Sequence, residues 1–373
     1  MVGNAEEKNR FFTFDRIKRS GIDIWWYSFY AKSQKTGKES NFFISYTILN
    51  GYKKSNQIIY KENEKGTKPS YIMVRVGRIE NKSESFCQLF PMDQLRLNKI
   101  NGKIEIGDNI LFSEKQINGK IKNSPDSPAK LSNIKTSATA EWKIKIVKNL
   151  TFDMGFITSP ILERLNYAVL NNLWHAEGIK SYFDGYITFK NQKYIISQAT
   201  SYACCDKHWG SQFPKRWFWA TSSDLKSKIT GRRLNNSALV LGGGNFFTKV
   251  FNKNVKRIIA SIHHENRSIE FNFFKFWDFH NLDYSLENND GHYHLCLHGR
   301  KKNTSLIVNL YASKDKSIRI NYQSPLNPNQ FFTLAHACNG HGTMQIYDDK
   351  NRLLDDIEIS HLHCCTTLNM SNS

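Results

Sequence analysis

The run Cys205-Asp206-Lys207-His208-Trp209-Gly210-Ser211-Gln212-Phe213-Pro214-Lys215-Arg216-Trp217-Phe218-Trp219 sets an acid, a cation and a histidine directly beside three tryptophans. An ordinary core strand buries indoles but does not pair them with Asp206, Lys207 and His208, because buried charges are costly unless matched. Residues two apart on a strand share a face. If Lys193–His208 runs as one strand, Tyr202, Asp206 and His208 stand together as a phenol, an acid and an imidazole. On the following strand Trp217 and Trp219 share one face and Phe218 takes the other, so one face belongs inside a barrel and one between domains.

Working outward, most of the chain alternates with period two and is rich in Ile, Tyr, Phe and Thr, the pattern of half-buried antiparallel strands. Expected strands include Ile24–Tyr30, Asn41–Ile48, Tyr71–Ile79, Glu141–Val147, Tyr186–Lys190, Lys193–Tyr202, Val255–His263, Ser305–Leu310, Thr343–Tyr347 and Asp356–Ser360. Short polar connections are read at Asn118-Gly119, Lys190-Asn191-Gln192 and Asp348–Asn351. One helix is expected, capped by Ser159, opened by Pro160 and carrying Ile161, Leu162, Leu165, Ala168, Val169 and Leu173 at helical spacing. It leads into Trp174-His175. The fold class is therefore all-β, with one helix between strands. The chain divides into an N-terminal β domain, residues 1–205, and a C-terminal β-barrel domain, residues 206–373.

The signature run resembles that of the tocopherol cyclase-like family, an acid-Lys-Asn-Trp-Gly-Gly-x-Phe-Pro-x-Lys-Trp-Phe-Trp pattern. Asp206, Lys207, Trp209, Gly210, Phe213, Pro214, Trp217, Phe218 and Trp219 fall on it, while His208 replaces the Asn and Ser211 the second Gly. A weaker likeness, through Asp206, Trp209 and Gly210, joins the same run to carotenoid hydratase-like and other lipocalin-like proteins. The resemblance implies two lipocalin-like antiparallel barrel or sandwich halves and proton addition to an isolated alkene. The expected activity is cyclisation of a prenylated aromatic or other isoprenoid lipid. The alternatives are hydration of an isoprenoid or carotenoid alkene, or a lipid carrier without chemistry. Asp206 is then the proton donor, since a carboxylic acid in an indole-lined cavity favours its neutral form. His175 or His208 is the second acid–base group. Trp174, Tyr202, Lys207, Trp209, Trp217 and Trp219 are the substrate-binding residues, the indoles stabilising a carbocation through their π faces. The bland alternative for Asp206 is an ion pair with Lys207, Lys215 or Arg216.

Composition narrows the rest. The chain has 373 residues, 40% apolar and 13% aromatic, as in a folded protein with two ordinary cores. Its net charge of +19 draws it to polyanions. No zinc-finger, helix-turn-helix or RNA-recognition signature accompanies that charge, so no specific nucleic acid is expected. Seven Lys or Arg against two Asp lie between Asp206 and Arg233, an excess suited to peripheral contact with an anionic membrane. The start lacks a signal peptide's apolar core, and no stretch approaches roughly 20 apolar residues, so a soluble, cytoplasmic protein is expected. Seven cysteines without regular spacing point to reduced thiols. The alternating His292/His294/Cys296/His298 and His361/His363/Cys365 groups lack structural zinc spacing, and neither a metal nor an organic cofactor is expected. Gly242-Gly243-Gly244 reads as a bulge or tight bend rather than a phosphate loop.

Overall fold

The computed structural model describes residues 20–367 except 53–54, 62–65, 99–101, 124–127, 129, 151–171, 211–214, 249–252, 266, 273–280 and 290. The helix expected from Ser159 lies almost wholly outside the described residues, within which the chain is nearly all strand. Period-two alternation has produced two large antiparallel sheets, each curled into a barrel-like form.

The first sheet holds β1 (Ile22–Ser33), β2 (Glu39–Leu49), β3 (Tyr71–Ile79), β4 (Glu84–Phe90), β5 (Leu95–Asn98), β6 (Lys103–Ile106), β7 (Ile110–Phe112), β8 (Gln116–Asn123), β9 (Ala138–Leu150), β10 (Asn172–Phe189), β11 (Gln192–Ile196) and β12 (Ala203–Gly210). It curls until the Lys122 backbone N–H on β8 donates to Gln88 Oε1 on β4 at 3.0 Å. The second holds β13 (Lys215–Ser222), β14 (Asp224–Ser227), β15 (Ala238–Thr248), β16 (Lys253–His264), β17 (Arg267–Asn272), β18 (Asn281–Asn289), β19 (His292–Lys301), β20 (Thr304–Ser313), β21 (Ser317–Gln323), β22 (Phe331–Asp348) and β23 (Leu353–Thr367). There Lys301 Nζ donates to the Glu270 carbonyl at 2.7 Å and ties the β19 end to β17. β12 carries Cys205 and Asp206 past the 205/206 division read from sequence, and the sheets change over between Gly210 and Lys215.

Three apolar clusters follow from this arrangement. One fills the first barrel with Trp25, Tyr27, Phe29, Tyr46, Trp142 and their neighbours. Another fills the second with Phe218, Leu239, Leu241, Val308, Met344 and Ile359 among others. The third lies between the sheets and joins Trp26, Phe43 and Trp174 of the first to Trp217, Trp219, Tyr322 and Cys365 of the second. Trp217 and Trp219 thus face the seam while Phe218 faces the barrel, as alternation requires.

Local corrections follow from long-range pairing. Lys193–His208 is not one strand: β11 and β12 occupy consecutive stretches of the slot between β1 and β10, with residues 197–202 looped out between them. Tyr202 therefore precedes the strand, at φ 36°. Trp174 and His175 sit on β10, not at a helix end. Asn118-Gly119 is no turn but the middle of β8, where a Cβ on Gly119 would lie 2.4 Å from the Trp142 ring. Gly242-Gly243-Gly244 keeps unbroken register with β16, while the pairing of β15 with β13 shifts register between Lys215 and Phe218, opposite Gly243–Asn245, so a bulge does lie at this run. Gly242 is needed for another reason: a Cβ there would lie 2.3 Å from Cζ3 of Trp174 in the opposite sheet.

Candidate active site

β12 is buried on both faces, so its alternation sorts the signature residues into two environments. Asp206 and His208 face the seam, Lys207 the interior of the first barrel.

On the seam side, Trp174 Nε1–H donates to Asp206 Oδ2 at 3.1 Å, and His208 Nε2 lies 3.3 Å from the same oxygen. Antiparallel pairing explains the meeting, since Trp174 is the β10 partner of His208 and Trp26 the β1 partner of Asp206. Asp206 is 6% exposed, and its Oδ1 has no hydrogen-bond partner among the described residues. Trp217 meets both Trp174 and His208 edge-on, with ring centroids 5.5 Å apart in each case. Facing strands of the second sheet add His336, whose ring stacks on Trp26 at 4.2 Å. Its Nε2 lies 3.4 Å from the Tyr322 hydroxyl and 3.6 Å from Cys365 Sγ. Burial, with smaller contributions from His208 and Arg75, holds His336 well below the usual histidine range, so its imidazole is neutral near pH 7. Arg75, 1% exposed, lies over the Tyr322 ring and donates to the Leu131 and Asn321 carbonyls at 3.1 and 3.2 Å.

On the barrel side, Lys207 is fully buried, 3.7 Å from Asp23 Oδ1 and above the rings of Trp25 and Trp209 at 4.4 and 5.3 Å. Burial draws its pKa down to about 8 against the opposing pull of Asp23. His175 is the β10 partner of Lys207 and is buried beside it. Glu177, two residues on, bonds Lys148 at 3.0 Å, and Lys148 also pairs with Glu114. Burial raises Glu177 to about 7 in spite of Lys148.

The structure therefore brings Asp206, His208, Trp174, Trp217 and Trp219 to one seam. It sets Lys207, Trp209 and His175 behind β12, and Tyr202 at the seam's edge, where its ring stacks on His361 at 4.0 Å. Lys207 takes Asp23 as its carboxylate, and Arg216 is exposed. Trp26, Arg75, Tyr322 and His336 were missed, and Cys365 was read only within the His361/His363/Cys365 group, because nonlocal pairing is what brings them to the seam. A detectable signal was Ala335-His336-Ala337-Cys338, a polar residue alternating with small apolar ones.

The two His/Cys groups have other partners. His294 lies between Glu287 and Asn309, His361 between Asp224 and Glu39. His363 Nε2–H donates to the Tyr202 carbonyl at 2.9 Å, so its Nδ1 accepts from Ser28 Oγ at 2.8 Å. Among the described residues no group of three or more His, Cys, Asp or Glu side chains is placed to hold a metal ion, and no helix is long and apolar enough to cross a membrane.

No curated protein sequence matches the chain. Among solved structures, a protein of Nitrosomonas europaea provisionally assigned as AttH aligns over 92% of this chain and 91% of its own, at 10% identity and a TM-score of 0.47. Kievitone hydratase from Nectria haematococca aligns over 92% and 88%, at 11% identity and a TM-score of 0.45. The sequence model of the tocopherol cyclase-like family matches residues 110–310. With more than half its length inside that match, from β7 to β20 and including the signature strand, the chain belongs to the tocopherol cyclase-like family.

Proposed function

We propose that the protein is a lipid-modifying enzyme that protonates an alkene of a prenylated aromatic or other isoprenoid lipid from Asp206 and lets the resulting cation close a ring. The observation that carries this reading is the division of labour between the two oxygens of Asp206. Oδ2 faces the Trp174 and His208 nitrogens, while Oδ1 has no hydrogen-bond partner among the described residues. A carboxylic acid with its proton on Oδ1 accepts at Oδ2 from Trp174 Nε1–H and from the Nε2–H tautomer of His208. After transfer to carbon, the same two donors stabilise the carboxylate that is left.

Trp26, Trp174, Trp217 and Trp219 wall the seam, and an indole face attracts a developing cation by roughly 2 kcal/mol or more when desolvated. Neutral His336 is the base for the second proton, released from a substrate phenol as its oxygen attacks the cation. Water attacking instead yields the hydrated alkene, and the same acid and base serve both outcomes.

The test is mass spectrometry of lipid extracts from cells expressing the wild type or Asp206→Asn, incubated with prenylated quinols and acyclic polyprenoids in deuterated water. An isomer with one non-exchangeable deuterium, made only by the wild type, is expected. A product heavier by water moves the assignment to hydration. Bound, unaltered lipid in both proteins makes this a carrier.

A further inference from the structure

A cleft of about 300 Å³ opens at the edge of the seam, lined by Lys180 and Ser181 of β10, by Tyr202, and by Asp224, Arg233 and Asn235 of the second half. That volume is at the small end for organic-ligand sites. Its cationic groups come from opposite halves, Lys180 from β10 and Arg233 from the connection between β14 and β15. Lys180 is 7% exposed and spends one of three ammonium protons on the Asn235 carbonyl at 2.6 Å. No carboxylate of the described residues reaches ion-pair distance of it. Asp224 and Glu265 act from farther away and do not offset its burial, so its pKa is drawn down. A buried ammonium without a paired anion is costly unless a partner arrives.

Arg233, on the facing wall, is held in place by a built scaffold. Its Nη1–H donates to Tyr202 Oη at 2.9 Å and its Nη2 lies 3.5 Å from Asp224 Oδ1. The other oxygen of Asp224 lies 2.6 Å from His361 Nδ1, and the Tyr202 ring stacks on His361. A guanidinium has five N–H donors, so this anchoring leaves further donors for a ligand.

We propose that this cleft binds a small organic oxyanion, a carboxylate or phosphate monoester, held between Lys180 and Arg233 and bridging the two halves of the chain. The site is separate from Asp206 and does not depend on the alkene chemistry. Bare phosphate is too small to fill the volume, which leaves room for an organic body in the cleft.

The experiment is calorimetric titration of the full-length protein at low ionic strength with inorganic phosphate, benzoate, phenyl phosphate and dodecyl phosphate. Phenyl phosphate should bind more tightly than inorganic phosphate. Lys180→Met should weaken it by about tenfold or more, and Lys180→Arg by no more than roughly threefold. Asp206→Asn should leave binding unchanged, which separates this site from the proposed chemistry. Preference for dodecyl over phenyl phosphate identifies the head group of an amphiphile, the reverse a free soluble anion. Lys180→Met should also melt no lower than the wild type, because it removes a buried charge that no carboxylate pairs. Equal binding by Lys180→Met, no binding of any probe by the wild type, or a markedly lower melting temperature in Lys180→Met overturns the proposal.

Discussion

The two faces of β12 solve opposite problems with adjacent residues. Behind the strand, Lys207 is a buried cation matched by a carboxylate, Asp23, and by two indole faces. Toward the seam, Asp206 is a buried acid held by an indole N–H and an imidazole, with one oxygen lacking a hydrogen-bond partner among the described residues. Lys207 thus meets a full opposite charge, whereas Asp206 meets hydrogen-bonding nitrogens at one of its two oxygens. Under the proposed function, the barrel face is architecture and the seam face carries the chemistry.

The sharpest break in that contrast is Asp206→Asn, which keeps the acceptor for Trp174 but removes the acid. Turnover should fall by about a thousandfold, within the usual range for a general acid, with the melting temperature little changed. Full activity in that variant removes Asp206 from the mechanism. On the other face, Lys207→Ala should act on stability, costing about 3–5 kcal/mol in urea denaturation because Asp23 is left buried and uncompensated. The double variant Lys207→Met/Asp23→Asn should recover most of that loss. If each single change is instead harmless, the pair does not organise the strand.

The barrel face also predicts a pH profile. Glu177 titrates near 7 in the folded chain against 4.5 for a free carboxyl, so the folded state holds the proton more tightly. Its contribution is fully present below about pH 4.5 and is lost as pH rises through 7, at most on the order of 3 kcal/mol. Lys207 is depressed toward 8, so between about pH 8 and its ordinary 10.5 the unfolded chain binds more protons and stability rises with pH. Urea denaturation at pH 5 and pH 7 should show the first decline in the wild type and a flatter profile in Glu177→Gln. An unchanged slope would place the titration elsewhere.

A smaller effect tests how the seam holds its acid. Gly242→Ala sets a methyl where the Trp174 ring lies, an overpacking worth about 1–3 kcal/mol. The displaced indole should loosen its bond to Asp206 Oδ2 and lower turnover by roughly tenfold, the value of one such hydrogen bond. Trp174→Phe should match that loss with a milder effect on stability. Wild-type kinetics in both variants would make Trp174 packing alone.

The local chemistry of the chain was sufficient for the β class, for the hairpins at Lys190-Asn191 and Asp348–Asn351, and for the shared face of Asp206 and His208. All depend on residues within a few positions of one another, where period-two geometry and turn chemistry act directly. The same reasoning failed at Tyr202 and Gly119, and at Gly242 it found the bulge but not the reason for the glycine. In each case the deciding neighbour, Tyr30 opposite the looped-out segment, Trp142 over Gly119, or Trp174 over Gly242, arrives from another strand. The site divides the same way. Alternation could say that Lys207 faces away from Asp206, but not which side was barrel and which was seam. That choice, and the arrival of Trp26, Tyr322, His336 and Cys365, came from the register of strands distant in sequence and the packing of one sheet on the other. No local pattern encodes such contacts, because they are set by the joint burial of both sheets' apolar faces.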